Sequence, residues 1–111
     1  MKKVYSRNEI TDDQLMNMIQ RSDETAFNIL YGRYWKALYS FAFSILNDED
    51  VSKDIVQVIW IKFWESRKKI KNQNIRSYLL KMVQNGVYKH LRDNKKFGDR
   101  LQLIDDYFST Q

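Results

Sequence analysis

Cysteine and proline are absent from this 111-residue sequence, histidine occurs once and glycine three times. Without cysteine there is no disulfide scaffold, no thiolate metal site and no cysteine nucleophile, which fits a reducing compartment. A single imidazole, His90, removes most catalytic triads and histidine-rich metal sites. Long apolar runs are missing too. Residues 37–46 come nearest, interrupted by Ser40 and Ser44, whereas a membrane span needs about 20 residues. The N-terminal stretch holds Lys2 and Lys3 and then polar residues, without the apolar block of a secretory signal. A cytoplasmic protein without a membrane span, cofactor, metal or catalytic site is expected.

What the sequence does have is apolar surface and a clustered charge. It is 43% hydrophobic and 14% aromatic, enough to offset chain entropy over most of a single domain. The net charge is +5, and its location matters more than its size. Residues 67–100 carry eleven basic and two acidic side chains, a local excess of nine, while the rest of the chain is net negative by four. Interspersed signs would serve solubility alone. A concentrated patch suits phosphate neutralisation, although a solvated basic helix without a partner has the same composition.

Four stretches show helical period and none alternates as a strand would. The first starts at Thr11, with Gln14 placed to complete a capping box, and carries Leu15, Met18 and Ile19. Ser22 or Asp23 caps the second, which runs to about residue 46 with Phe27, Leu30, Tyr31, Tyr34, Trp35, Leu38, Tyr39, Ala42 and Ile45 on a broad apolar face. The turn at residues 47–50 opens the third, which extends to about residue 66. Its acids suit the helix dipole, and it lacks the glycine and terminal glutamate of a calcium loop. Asn74 caps the fourth, from 75 to about 95. Asn85-Gly86 would favour a hairpin in isolation. Leu79, Met82, Val83, Gly86 and His90 nevertheless share one arc, so the helix continues and Gly86 marks close approach of a neighbouring helix. His90 on that arc reads as a hydrogen-bonded interior histidine. An all-α bundle of about four helices is expected, with residues 1–10 a flexible tail, 11–96 one helical domain and 97–111 either the start of a linker or a short extra helix.

Two helix faces exceed what a core needs. On the third helix Ile55, Val56, Ile59, Trp60 and Phe63 form the core stripe, while Asp54, Gln57, Val58, Ile61 and Glu65 gather opposite them. Either a protein partner covers Val58 and Ile61, or a small protein wraps this helix on more sides. On the fourth, Ser77, Lys81, Gln84, Asn85, Tyr88, Lys89 and Arg92 share the arc away from the core, continuous with Arg67, Lys68, Lys69, Lys71 and Arg76. Such a set can neutralise phosphates and hydrogen-bond bases. Tyr88 or Tyr78 could stack on an unpaired base or simply pack over lysine stems.

Over residues 13–92 these features resemble the first folded domain, conserved region two, of bacterial extracytoplasmic-function RNA polymerase sigma factors. The pieces are Ala26-Phe27, Leu30-Tyr31 and Tyr34-Trp35 in the second helix, Asp54-Ile55-Val56-Gln57 with Trp60, Phe63 and Trp64 in the third, and Tyr78-Leu79, Asn85 and Arg92 in the fourth. The resemblance implies an all-helical transcription initiation module without catalytic chemistry. Asp54, Gln57, Val58 and Ile61 would lie on the side that meets the clamp helices of the polymerase large subunit. Lys69, Lys71, Asn72 and Asn74 would shape a pocket for a flipped base of the minus-ten non-template strand. Arg76, Ser77, Lys81, Asn85, Tyr88 and Arg92 would face that DNA. An anti-sigma protein is a further possible partner. The sequence departs from the family pattern at Val58, where glutamate is common, at Gln84, where arginine is usual, and at Lys89, where aspartate is common. The family also carries a second helical domain for the minus-thirty-five element, for which 111 residues leave no room, so a fragment is expected. The rival reading is a helical interaction module that binds no DNA.

Overall fold

Side-chain caps set the start of the first four helices. The computed structural model describes residues 9–71, 74–94, 103–104 and 106–109, and it contains α1 (Asp12–Gln20), α2 (Glu24–Leu46), α3 (Glu49–Glu65) and α4 (Ile75–Asp93). There is no strand among the described residues. The capping box at α1 is complete: the Gln14 N–H donates to Thr11 Oγ1 at 3.1 Å, and the Thr11 N–H donates to Gln14 Oε1 at 2.9 Å. Asp23, Asp48 and Asn74 accept from the N–H groups of Ala26, Val51 and Ser77, each at 3.0 Å. Every one of these bonds satisfies a donor that helix geometry leaves without an internal partner. Asn47 closes α2 in the left-handed region at φ 50°, a conformation that asparagine tolerates better than most residues. Asp48 follows at once as the cap of α3, so two residues join two long helices.

The core is built on α2, which touches α1, α3 and α4. Its Leu30, Leu38, Phe41 and Ile45 meet Leu15 and Ile19 of α1, Val56, Ile59, Trp60 and Phe63 of α3, and Leu79, Val83, Val87 and Leu91 of α4 in one buried cluster. Full burial of each such side chain contributes on the order of 1.5–3 kcal/mol, against the conformational entropy of ordering the chain.

One placement differs from the sequence expectation, through a long-range contact. Ile10, assigned to the tail, is 3% exposed and its carbonyl accepts from Arg33 Nη2 at 3.0 Å. Arg33 Nη1 meets Asp12 Oδ1 at 2.6 Å, and the Tyr34 hydroxyl donates to the other Asp12 oxygen. These bonds bind α1 to the middle of α2. Burial, followed by the hydrogen bond to Asp12 and its charge, pushes the Tyr34 hydroxyl up to about 12. Residues 103–104 and 106–109 are helical. Ile104 is buried and Tyr107 packs edge-on to Phe41 with centroids 4.6 Å apart. Residues 1–8 and Lys95 lie outside the described residues, as does Leu101.

Candidate protein and nucleic-acid interfaces

Helix α3 presents two unlike faces. Val56, Ile59, Trp60 and Phe63 are buried, while Asp54, Gln57, Val58 and Ile61 are all exposed, Val58 at 47% and Ile61 at 52%. Among the described residues no helix covers Val58 or Ile61. The four exposed residues divide between two flanking grooves. Gln57 and Ile61 line one groove against α2, with Phe27, Tyr31 and Trp64. Asp54 and Val58 line another against α4, with Met82, Asn85 and Arg92.

The α2/α3 groove has an aromatic floor. Trp60 lies edge-on to Phe27 at 5.7 Å and against Tyr31 at 5.2 Å, and Phe27 lies edge-on to Trp64 at 5.1 Å. Such pairs add about 0.5–1.5 kcal/mol beyond area burial. The buried Trp60 indole N–H and Ser52 hydroxyl have no hydrogen-bond partner among the described residues. Glu24 and Glu65 sit in the groove lining, and the Arg67 guanidinium lies over the Trp64 ring that forms part of it.

Sequence reasoning missed part of this surface. The sequence pattern places Tyr31 and Trp35 on the core face of α2, yet they are 39% and 41% exposed. With Tyr39 and Phe43 they form a ladder at four-residue spacing, in which Trp35 lies 6.4 Å from Tyr39 and Tyr39 5.8 Å from Phe43. Four residues turn a helix by about 400°, so the ladder drifts about 40° per step away from the buried side. That drift was the available signal: aromatic and aliphatic residues cover too much of the α2 circumference for one core contact.

On α4, Ser77, Lys81, Asn85, Lys89 and Arg92 are exposed along one arc. Tyr88 on the same arc is half-buried and its hydroxyl accepts from Gln84 Nε2 at 3.1 Å. Lys69 and Lys71 are exposed in the connection before the helix. Asn74 is exposed as well, with its side-chain oxygen engaged as the cap. Arg76 is exposed but lies roughly 140° from the centre of the arc, close enough to Tyr34 for its charge to lower that hydroxyl's pKa against the larger upward effects. Asn72 lies outside the described residues.

Arg67 is committed to the fold. Its Nη1 donates to the Trp64 carbonyl at 2.7 Å, while Nη2 and Nε reach Ser22 Oγ at 2.8 and 3.2 Å. The guanidinium also lies over the Trp64 ring at 4.1 Å. Ser22 is held there at φ 67°. His90 is half-buried in the α3/α4 groove, with Nδ1 3.4 Å from the Asn94 amide.

Because Asn85 and Arg92 line the same groove as Asp54 and Val58, the two candidate faces meet along α3 and α4. Among the described residues no three acidic or histidine side chains converge as a metal site requires. No described helix is long and apolar enough to cross a membrane.

The family model for sigma-70 region 2 matches residues 30–97, more than half of the chain. No curated protein and no solved structure matches.

Proposed function

We propose that this chain, which belongs to the sigma-70 region 2 family and so acts in transcription initiation, grips core RNA polymerase through α3 and holds an opened promoter strand along α4. The exposure of Val58 and Ile61 beside Asp54 and Gln57, on a helix that buries Val56, Ile59, Trp60 and Phe63, carries this reading. Two large aliphatic side chains in water beside polar groups that can fix register are what a helix-in-groove partner requires. Clamp helices of the polymerase large subunit are the partner, with the aromatic α2/α3 groove extending the footprint. The motif residues of α2 and α3 support the extracytoplasmic-function type, working in the cytoplasm, and an anti-sigma protein covering α3 would exclude polymerase.

The chain supplies no bond-making chemistry in this reading. Lys81 and Arg92 neutralise phosphates, and Asn85 and Ser77 offer hydrogen bonds to bases. Lys69, Lys71 and Asn74 border the place of a flipped minus-ten base. Unstacking and unpairing cost a few kcal/mol, which base stacking and hydrogen bonds on the extruded strand offset. Release of counterions makes the DNA contact steeply salt-dependent.

Co-purification with core RNA polymerase, followed by transcription from a template already melted at the minus-ten element, tests both contacts. The reading expects a stable complex and start-site-specific transcripts. A complex that fails to form removes the polymerase assignment. A complex without DNA binding at any salt concentration favours the helical interaction module.

A further inference from the structure

Helix α1 ends on a residue that glycine usually supplies. The Asp23 N–H donates to the Met18 carbonyl at 3.1 Å and the Ser22 N–H to the Ile19 carbonyl at 2.8 Å, the paired bonds of a Schellman motif. That motif calls for the left-handed region at residue 22, and Ser22 stands there at φ 67°. A Cβ is disfavoured in this region, whereas glycine escapes the penalty. Asp23 caps α2 immediately afterwards, so the turn has no residue to spare. Its backbone bonds need no hydroxyl.

The hydroxyl instead serves a residue 45 positions away. Ser22 Oγ accepts from Arg67 Nη2 at 2.8 Å and from Nε at 3.2 Å, while Arg67 Nη1 donates to the Trp64 carbonyl at 2.7 Å. Held from both sides, the planar guanidinium lies 4.1 Å from the centre of the Trp64 ring, a cation–π contact. Trp64 is half-buried, lies edge-on to Phe27 at 5.1 Å and lines the α2/α3 groove with Gln57 and Ile61. It stands one residue before the end of α3, so its ring marks that end of the groove.

We propose that Ser22 and Arg67 are positioning residues for polymerase docking, a clasp that holds the Trp64 ring as the end wall of the α2/α3 groove. This rests on the polymerase-binding reading above. Backbone strain persists where the surroundings over-determine it, and it gathers at functional sites. Here the strained serine and the three bonds of the arginine converge on a surface ring, not on the core. A half-exposed indole left to itself can change rotamer, and a partner that docks on it must then bear the cost of ordering it. The clasp removes that cost before docking. Ser22 and Arg67 thus act on the partner through Trp64.

Affinity of the chain for core RNA polymerase, measured beside urea unfolding and single-strand binding, tests this with Ser22→Gly. Glycine relieves the backbone at residue 22 and removes the acceptor, so the urea midpoint should equal or exceed that of the parent while polymerase affinity falls about five-fold. Strand binding should stay within about two-fold. In a Trp64→Leu background, Ser22→Gly should change polymerase affinity by less than about two-fold, because the clasp then has no ring to hold. Parent-like polymerase affinity in Ser22→Gly, a lowered urea midpoint, a changed strand affinity or an undiminished loss in the Trp64→Leu background overturns this inference and leaves the polymerase-binding reading standing. Failure of the parent chain to bind polymerase overturns both.

Discussion

Gly86 of α4 rests so close to Ile55 of α3 that a Cβ at residue 86 would stand 2.9 Å from Ile55 Cγ2 and 3.6 Å from Ile59 Cδ1. A β-branched methyl cannot swing aside as the end of a long side chain can. The missing side chain therefore lets the two helices approach, and their approach brings Asp54 and Val58 alongside Asn85 and Arg92 in one groove. Packing inside the bundle thus sets the spacing between the face proposed for polymerase and the face proposed for DNA.

Gly86→Ala should destabilise the protein by about 1 kcal/mol or more, because overpacking of roughly 1–3 kcal/mol exceeds the gain in helix propensity. Gly32→Ala should do the opposite. Nothing lies within 4 Å of a Cβ there, so the propensity gain of about 0.5–1 kcal/mol is free to appear. Urea unfolding of both variants checks the pair, and equal shifts of the same sign would contradict the packing.

Tyr34 predicts an alkaline weakness. Its hydroxyl is pushed up from 10.0 to about 12, so the fold favours the neutral form. The stabilisation is complete below pH 10 and fades as pH rises towards 12. Thermal unfolding between those values should show Tyr34→Phe losing less stability with pH than the parent, although it starts lower for want of the Asp12 hydrogen bond. Parallel curves would contradict the assignment.

Arg67→Lys keeps the charge but cannot reproduce the fork on Ser22 and the Trp64 carbonyl or the planar contact with the Trp64 ring. A loss of about 1–2 kcal/mol in stability is expected, with strand affinity unchanged. Unchanged stability together with weakened strand binding would return Arg67 to the DNA face.

Local chemistry was legible in the sequence wherever a side chain acts within a turn of itself. Thr11 with Gln14 and Asn74 cap their helices as expected, and Asp23 is the one of the two candidates, Ser22 and Asp23, that caps the second; each bond joins residues three apart. The division of α3 into a buried and an exposed face follows from its period. Gly86 was legible as well, since a glycine in an otherwise continuous helical arc implies a close neighbour. Periodicity could not show which cations the fold consumes. Arg67 reaches back to Ser22 and Gln20 reaches forward to Ile70, contacts that depend on how α1 docks. The same docking buries Ile10. The exposure of Tyr31 and Trp35 was legible only as an excess of apolar circumference on α2; which of those residues stay uncovered depends on how the helices pack.

The division of labour between α3 and α4 is tested most directly by measuring polymerase affinity and single-strand affinity on the same two variants. Gln57→Ala with Ile61→Ala should weaken core polymerase binding by about ten-fold or more and leave strand binding within about two-fold. Lys81→Gln with Arg92→Gln should weaken the strand, lower the salt slope by about 1.4 for two lost contacts to single-stranded DNA and spare polymerase. Loss of both affinities in either folded variant, or of neither in both, would contradict the two-face account.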